Sequence, residues 1–356
     1  MRILYITKIY NIFYFYKYFK LYLTLATCLE KPNFEFMRTS LITLIKTAFI
    51  LIFCLLQGSL WSQTVEADVD YRNYYRDINK ARHLISTKKY TEAIKSYRLI
   101  FSNYDFQFAR DCINAAELAA FVGDHDQCLI FLNYALRRGV DLDFIEHHSK
   151  FSAFRATEQW NKLQNQAPIL FSLYSKSIDK SLKQEIDLMF EQDQNIRSQY
   201  YRWYNIPRRS ALAKKWEALN KKQVERIMEI TAEHGFPGES VIGISEDLDG
   251  YSCAKPIVIL IHHFSQANPS YHSTLKQEVI AGRLYVEHYA TISDYEAEYG
   301  QAKYQNDGYY GIRFQTKNLD KKEIDKKRKD IGLMSISEWS AIDKTEVITR
   351  FWRRLY

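Results

Sequence analysis

The sequence predicts a mainly α-helical protein in which helical hairpins pack on a second, helical region with at most a short β element. Apolar residues recur at helical spacing over long stretches, as at Leu182, Ile186 and Met189. Such stretches are followed by helix-ending signals, as at Gly235. The segment that favours a strand or hairpin is QNDGYYGIRF, residues 305–314, because it is short, aromatic and bracketed by glycines.

The N-terminal stretch indicates export. Residues 1–36 are rich in aromatic residues interrupted by lysines, and we interpret them as a non-native upstream extension. Residues 37–62 have the order of a signal peptide: basic MRTSLITLIK, apolar TAFILIFCLLQ, then small residues up to Ser62. We therefore expect export to the periplasm or cell envelope. The alternative is an uncleaved N-terminal anchor, and the membrane is expected as a partner only through that segment.

The formal net charge of +7 is concentrated in the same stretch. Residues 1–62 contain seven Lys or Arg and two Asp or Glu, whereas the remainder contains 42 and 40. The global charge therefore gives no argument for nucleic-acid binding. We also find no basic stripe interleaved with aromatic residues, so no nucleic-acid partner is expected.

The first folded region, residues 66–165, contains an internal repeat. An offset of 35 residues aligns Ala81 with Ala116, Lys88 with Gly123, and Ala93 with Cys128, so that small residues recur where paired helices approach closely. This period and pattern, over about residues 72–138, resemble the tetratricopeptide repeat, a helix–turn–helix unit. The resemblance implies a groove that binds a protein or peptide. A scaffold without a ligand is the alternative, and two repeats alone bury too little surface, so they should dock on the C-terminal region of the chain.

The second region, residues 166–356, is predicted to be a helical domain. Over about residues 180–340 it resembles a bacterial family of exported proteins of unknown function. The resemblance rests on DQNIR at 193–197, WEALN at 216–220, GFPG at 235–238, the histidine pair that ends KPIVILIHH, EVIAGRL, Asp294, Tyr310-Gly311 and IDKKRKDIGL. Where that family tends to have Arg after the aspartate and Thr-Gln after Tyr-Gly, this chain has Tyr295 and Ile312-Arg313. The family implies no known reaction.

Polar residues from several segments of this region form a candidate site. His263 ends a buried apolar run, and a histidine beside a carboxylate can act as a general base near neutral pH. In the alternative to a binding role, His263 and Asp294 are the catalytic pair of a hydrolase-like enzyme. The remaining predicted residues are assigned to binding: Asp193, Arg197, Asn220 and Tyr310. The favoured interpretation of the histidine is a core residue whose polar atoms are satisfied by a carbonyl or a neighbouring acid.

Spacing motifs for metals and cofactors are missing from the sequence. There is no HExxH or CxxC pattern and no phosphate-cradling glycine loop, so neither a metal nor a cofactor is expected. The cysteines of the mature chain are predicted to be small buried side chains. The leading prediction of function is therefore a binding or scaffold role in the cell envelope, through the helical repeats and the C-terminal polar pocket. The hydrolase-like enzyme is the alternative.

Overall fold

The computed structural model describes residues 69–245, 253–263, 270–299, 309–312 and 320–349, and these residues form a mainly α-helical structure, as predicted. The described residues all belong to one compact unit, residues 68–356. The extension and signal peptide predicted within residues 1–62 lie outside the described residues. Among the described residues, no helix is long and apolar enough to cross a membrane.

Fifteen α-helices are present in the described ranges. In chain order they are α1 (Tyr71–Ser86), α2 (Tyr90–Asn103), α3 (Ala109–Val122), α4 (His125–Arg137), α5 (Leu142–His147), α6 (Ser152–Arg155), α7 (Glu158–Ser177), α8 (Lys180–Tyr201), α9 (Arg209–His234), α10 (Glu239–Ile242), α11 (Lys255–His263), α12 (Ser270–Ile280), α13 (Val286–Tyr299), α14 (Lys321–Ile331) and α15 (Ile336–Ile342). Short 3-10 helices occupy Ser149–Phe151 and Trp203–Arg208. The predicted β segment at 305–314 lies mostly outside the described residues, and its described part, 309–312, is not a strand.

Helices α1 to α4 form two consecutive hairpins whose turns are conformationally alike. Lys88, between α1 and α2, has φ 62°, and Gly123, between α3 and α4, has φ 79°. The 35-residue offset aligns these two residues with each other, and both adopt the left-handed conformation that ends many helices. Ala81 and Ala116, also aligned by the offset, are fully buried. Small side chains at such positions let the paired helices approach closely.

The C-terminal helices surround α11. This helix packs against α8, α9 and α13, and the side chains of Ile257, Ile259 and Leu260 are fully buried. Burial on all sides agrees with its almost uninterrupted apolar sequence. The predicted boundary between residues 165 and 166 falls inside α7, which begins at Glu158 and ends at Ser177.

The hairpins are docked on the C-terminal helices through α1 and α3. The hydroxyl of Tyr75 donates to the carbonyl of Leu284 at 3.1 Å. The amide of Asn79 donates to the carbonyl of Gly332 at 2.7 Å. The contact is close at Gly282, whose φ is 73° and where a Cβ would lie 2.5 Å from the ring of Tyr71. A larger residue there would separate the two regions.

Candidate functional site

Asp193 and Asn220 lie where α8 and α9 leave the protein core. Both side chains are buried. The carboxylate of Asp193 accepts a hydrogen bond from the indole N–H of Trp216 at 3.0 Å and another from the amide of Gln194 at 2.9 Å. Arg197 follows one turn later on α8 and is half-buried. Asp193 therefore ties α9 to α8, and the pairing of Arg197 with a carboxylate stays a prediction.

Asp294 and Tyr310, predicted for catalysis and for binding, are in direct contact. The buried carboxylate of Asp294 accepts hydrogen bonds from the backbone N–H groups of Tyr310 at 2.6 Å, Gly311 at 3.2 Å and Ile312 at 2.6 Å. Arg328 in turn donates to the carbonyl of Tyr310 at 2.7 Å. Asp294 thus anchors residues 309–312 to α13, which is a structural use of its carboxylate.

His263 is the last residue of α11, and its side chain lies outside the described residues. The helix itself packs against α8, α9 and α13, the helices that carry Asp193, Asn220 and Asp294. The backbone therefore brings these four segments together. A single site shared by their side chains, and the catalytic role of His263 with Asp294, stay predictions.

A cluster of buried charges that was not predicted joins the hairpins to the C-terminal helices. Arg82 of α1 donates through Nη2 to Asp111 Oδ1 of α3 at 2.8 Å and through Nη1 to Glu287 Oε1 of α13 at 3.2 Å. All three side chains are almost completely inaccessible to solvent. The hydroxyls of Tyr285 and Tyr74 also donate to Asp111, at 3.1 and 3.0 Å. The charge of Arg82 is therefore matched by two carboxylates from two different parts of the chain.

A second group of polar side chains adjoins this cluster. Arg110 Nη2 lies 3.3 Å from His288 Nε2. Burial, and then the charge of Arg110, hold the pKa of His288 well below its ordinary value, so the ring is neutral and Nε2 can accept. Burial also raises the pKa of Glu239 to about 8, and this side chain accepts a hydrogen bond from the backbone N–H of Ala109. Glu239 is therefore mostly protonated at neutral pH.

Glu239, His288 and Cys253 all line one cavity, but its geometry does not suit catalysis. Its volume is about 10 Å³, which is about the space of one water molecule. Burial raises the pKa of the Cys253 thiol, so the nucleophilic thiolate is disfavoured, and the thiol is within 3.3 Å of the carbonyl of Pro237. No substrate fits in this space. Among the described residues, no group of three His, Cys, Asp or Glu side chains could hold a metal ion.

The sequence contained one sign of this buried cluster. On α1 the core-facing stripe runs through Tyr75, Ile78 and Ile85, and Arg82 lies within it at helical spacing. A charged residue in a buried stripe requires a charged or hydrogen-bonding partner. The partners could not be read from the sequence, because Glu287 is 205 residues away.

An open groove on the surface lies between α4 and α7. Its volume is about 360 Å³. Ile130 and Ile169 are exposed apolar side chains at this groove, and Phe171 and Leu173 are exposed further along α7. The groove is lined by Ile130, Asn133, Tyr134, Arg137, Gln166, Ile169 and Leu170. It thus combines apolar side chains with one basic and no acidic residue.

No protein-family model, curated protein or solved structure matches this chain. The resemblances to tetratricopeptide repeats and to the exported bacterial family are therefore carried by the sequence patterns alone, and both stay predictions.

Proposed function

We propose that this protein is an exported, non-enzymatic binding protein of the cell envelope that holds a peptide segment of a partner in the groove between α4 and α7. The observation that carries the proposal is the set of exposed apolar side chains at this groove. Ile169 is 65% exposed and Ile130 is 41% exposed. Exposed apolar side chains grouped along a concave surface are typical of interaction sites. The proposal of export rests on the signal-peptide pattern of residues 37–62.

The other face of the hairpins is already occupied. Helices α1 and α3 are covered by the chain's own C-terminal residues, through the Arg82–Glu287 ion pair and the hydrogen bond from Asn114 to the carbonyl of Thr349 at 3.0 Å. A partner could reach that face only by displacing these contacts. This supports the outer groove as the binding surface.

The chemistry of the groove favours an amphipathic helical segment with an acidic residue. Ile130, Ile169 and Leu170 offer apolar contacts to an apolar helix face, in the way that helix-in-groove complexes are built. Arg137 supplies a positive charge at the same groove, and its guanidinium can bind a carboxylate through two hydrogen bonds. A wholly polar segment would lack the apolar face, and a basic segment would be repelled by Arg137.

Peptide selection followed by titration tests the proposal. Helical peptides selected on the full-length protein from a displayed library should combine an apolar face with an acidic residue. Their affinity, measured by fluorescence anisotropy, should fall at least tenfold in Ile169→Glu, which places a like charge beside that acidic residue. The matched control is Leu188→Glu on α8, an exposed leucine outside the groove, which should leave the affinity unchanged. Equal losses in both variants, or selected peptides without the expected pattern, would contradict the proposal.

A further inference from the structure

The end of the α8–α9 hairpin projects from the folded core. We call residues 194–219 the hairpin tip. None of them is buried, whereas Asp193 and Asn220, the residues that flank the tip, both are. At a rise of about 1.5 Å per residue, the helical arms extend on the order of 12–16 Å beyond these flanking positions. The indole of Trp216, bonded to Asp193, holds the arms together at their base.

The hairpin tip concentrates positive charge in a chain that is otherwise balanced. Residues 194–219 contain six Lys or Arg and one acidic residue, Glu217. Outside this segment, residues 63–356 contain 36 Lys or Arg against 39 Asp or Glu. The basic residues are Arg197, Arg202, Arg208, Arg209, Lys214 and Lys215. The tip is therefore a local cationic surface, whereas the other residues of 63–356 together carry a slight negative charge.

The same tip carries the most exposed large apolar side chain among the described residues. Trp203 is 78% exposed, and Tyr201, Tyr204 and Ile206 beside it are also exposed. Trp203 and Tyr204 lie with ring centroids 6.0 Å apart, and Arg202 donates to the hydroxyl of Tyr204 at 2.6 Å. Leaving such side chains in water is unfavourable unless something covers them.

We propose that the hairpin tip docks on an anionic phospholipid surface. Tryptophan and tyrosine favour the interface between lipid and water, where the ring is in an apolar medium and the polar group is wet. Lysine and arginine beside them attract anionic headgroups, each strengthening partitioning roughly fivefold near the surface. This combination of exposed aromatic side chains, an exposed isoleucine and an excess of basic residues matches a peripheral membrane contact.

A nucleic acid is the other polyanion that such charges could attract. Binding of single strands uses a basic groove that follows the backbone over several nucleotides, with aromatic rings on which bases stack. The tip is instead the projecting end of two helices, and Ile206 at its surface has no ring for stacking. The observations therefore favour the lipid surface.

Vesicle binding by the full-length chain tests this proposal. Vesicles of phosphatidylcholine with about a third phosphatidylglycerol are compared with pure phosphatidylcholine, and because every variant retains the same basic N-terminal segment, differences between variants do not come from that segment. The triple variant Arg202→Gln, Arg208→Gln, Arg209→Gln should lose on the order of a hundredfold in the anionic-dependent partitioning at low salt. The matched control, Lys321→Gln, Lys322→Gln, Lys329→Gln, removes three exposed charges from α14 and should lose much less.

A second measurement reports the position of the tip directly. In a Trp61→Phe background, which removes the tryptophan of the N-terminal segment, brominated phosphatidylcholine in the anionic vesicles should quench tryptophan fluorescence, and adding Trp203→Phe should remove most of that quenching. Equal losses in the two triple variants would show that only net charge matters and overturn the proposal. Quenching unaffected by Trp203→Phe would also overturn it, as would tighter binding to a single-stranded oligonucleotide than to the anionic vesicles. These measurements do not involve the groove between α4 and α7, so the two proposals fail separately.

Discussion

Replacing Arg82 with methionine should destabilise the protein strongly, because it leaves two carboxylates buried without their cation. The guanidinium lies 2.8 Å from Asp111 and 3.2 Å from Glu287. At an effective dielectric constant of about 20, each pair has a gross attraction of roughly 5–6 kcal/mol. Desolvation of the three groups offsets most of this attraction in the intact cluster. Removing one partner from a buried pair nevertheless costs about 3–5 kcal/mol, since the remaining charge stays desolvated.

Equilibrium urea unfolding, followed by far-ultraviolet circular dichroism, measures this loss. The matched control is Arg226→Met on α9, because Arg226 pairs with Glu185 at 2.6 Å on the solvated surface. We expect little change in the control, since water screens exposed ion pairs and solvates a carboxylate that loses its partner. The loss in Arg82→Met should also shrink at low pH, where the stranded carboxylates take up protons.

A loss of about 3–5 kcal/mol is a large part of the total stability of many proteins, so Arg82→Met could fail to fold. Tyr74→Phe provides a milder variant of the same cluster. It removes only the hydroxyl that donates to Asp111 at 3.0 Å, at a cost of about 1–3 kcal/mol. The reasoning is refuted if Arg82→Met shifts the unfolding midpoint no more than Arg226→Met does, or if Tyr74→Phe leaves it unchanged.

Two further predictions concern stability. Glu239→Gln should make the protein more stable than the wild type at the alkaline end of the pH range. The pKa of Glu239 is about 8 in the folded state against an ordinary 4.5, so the wild type loses stability as pH rises between these values. A difference in unfolding free energy between Glu239→Gln and the wild type that stays constant from pH 4.5 to 8 would contradict this. Ala93→Leu and Ala116→Leu should each cost roughly 1–3 kcal/mol by overpacking the hairpins, because both alanines are fully buried. The exposed Ala153→Leu is their control, and unchanged urea midpoints at both buried positions would count against the repeat register.

Local signals in the sequence predicted much of the helical structure. The stop at Gly235 coincides with the end of α9 at His234, and the turn at Gly123 coincides with the end of α3. Both follow from short-range physics, because a glycine at positive φ ends a helix without steric cost. Boundaries that depend on packing between distant residues are harder to predict from the sequence. At residue 165, for example, α7 continues through the predicted division.

The candidate polar residues show a different limit of the sequence. Asp294 and Tyr310 are both predicted site residues, but their relation, a carboxylate that accepts backbone N–H groups, depends on a turn that no periodic pattern specifies. The sequence predicts that Asp193 and Arg197 share one face of a helix. It does not predict that the carboxylate of Asp193 accepts a hydrogen bond from Trp216 on the next helix. The expectation that no basic residues are interleaved with aromatic ones was wrong for the segment YRWYNIPRR at 201–209. Charge averaged over the whole chain hides it, and its exposure is known only once α8 and α9 are seen to project.

The position of the buried charges suggests what they contribute beyond stability. Apolar contacts between α1 and the C-terminal helices could re-form after a shift of α1 by one helical turn, since aliphatic and aromatic surfaces are not directional. The contacts of Arg82 could not, because a displacement of about 5.4 Å would separate it from Asp111 or Glu287 and leave a charge without its partner. A buried ion pair adds little net stability over apolar packing of the same shape, but a shift that separates the pair leaves a buried charge without its partner. We infer that this cluster fixes how the hairpins sit on the C-terminal helices, and so holds the outer groove in one orientation relative to the hairpin tip.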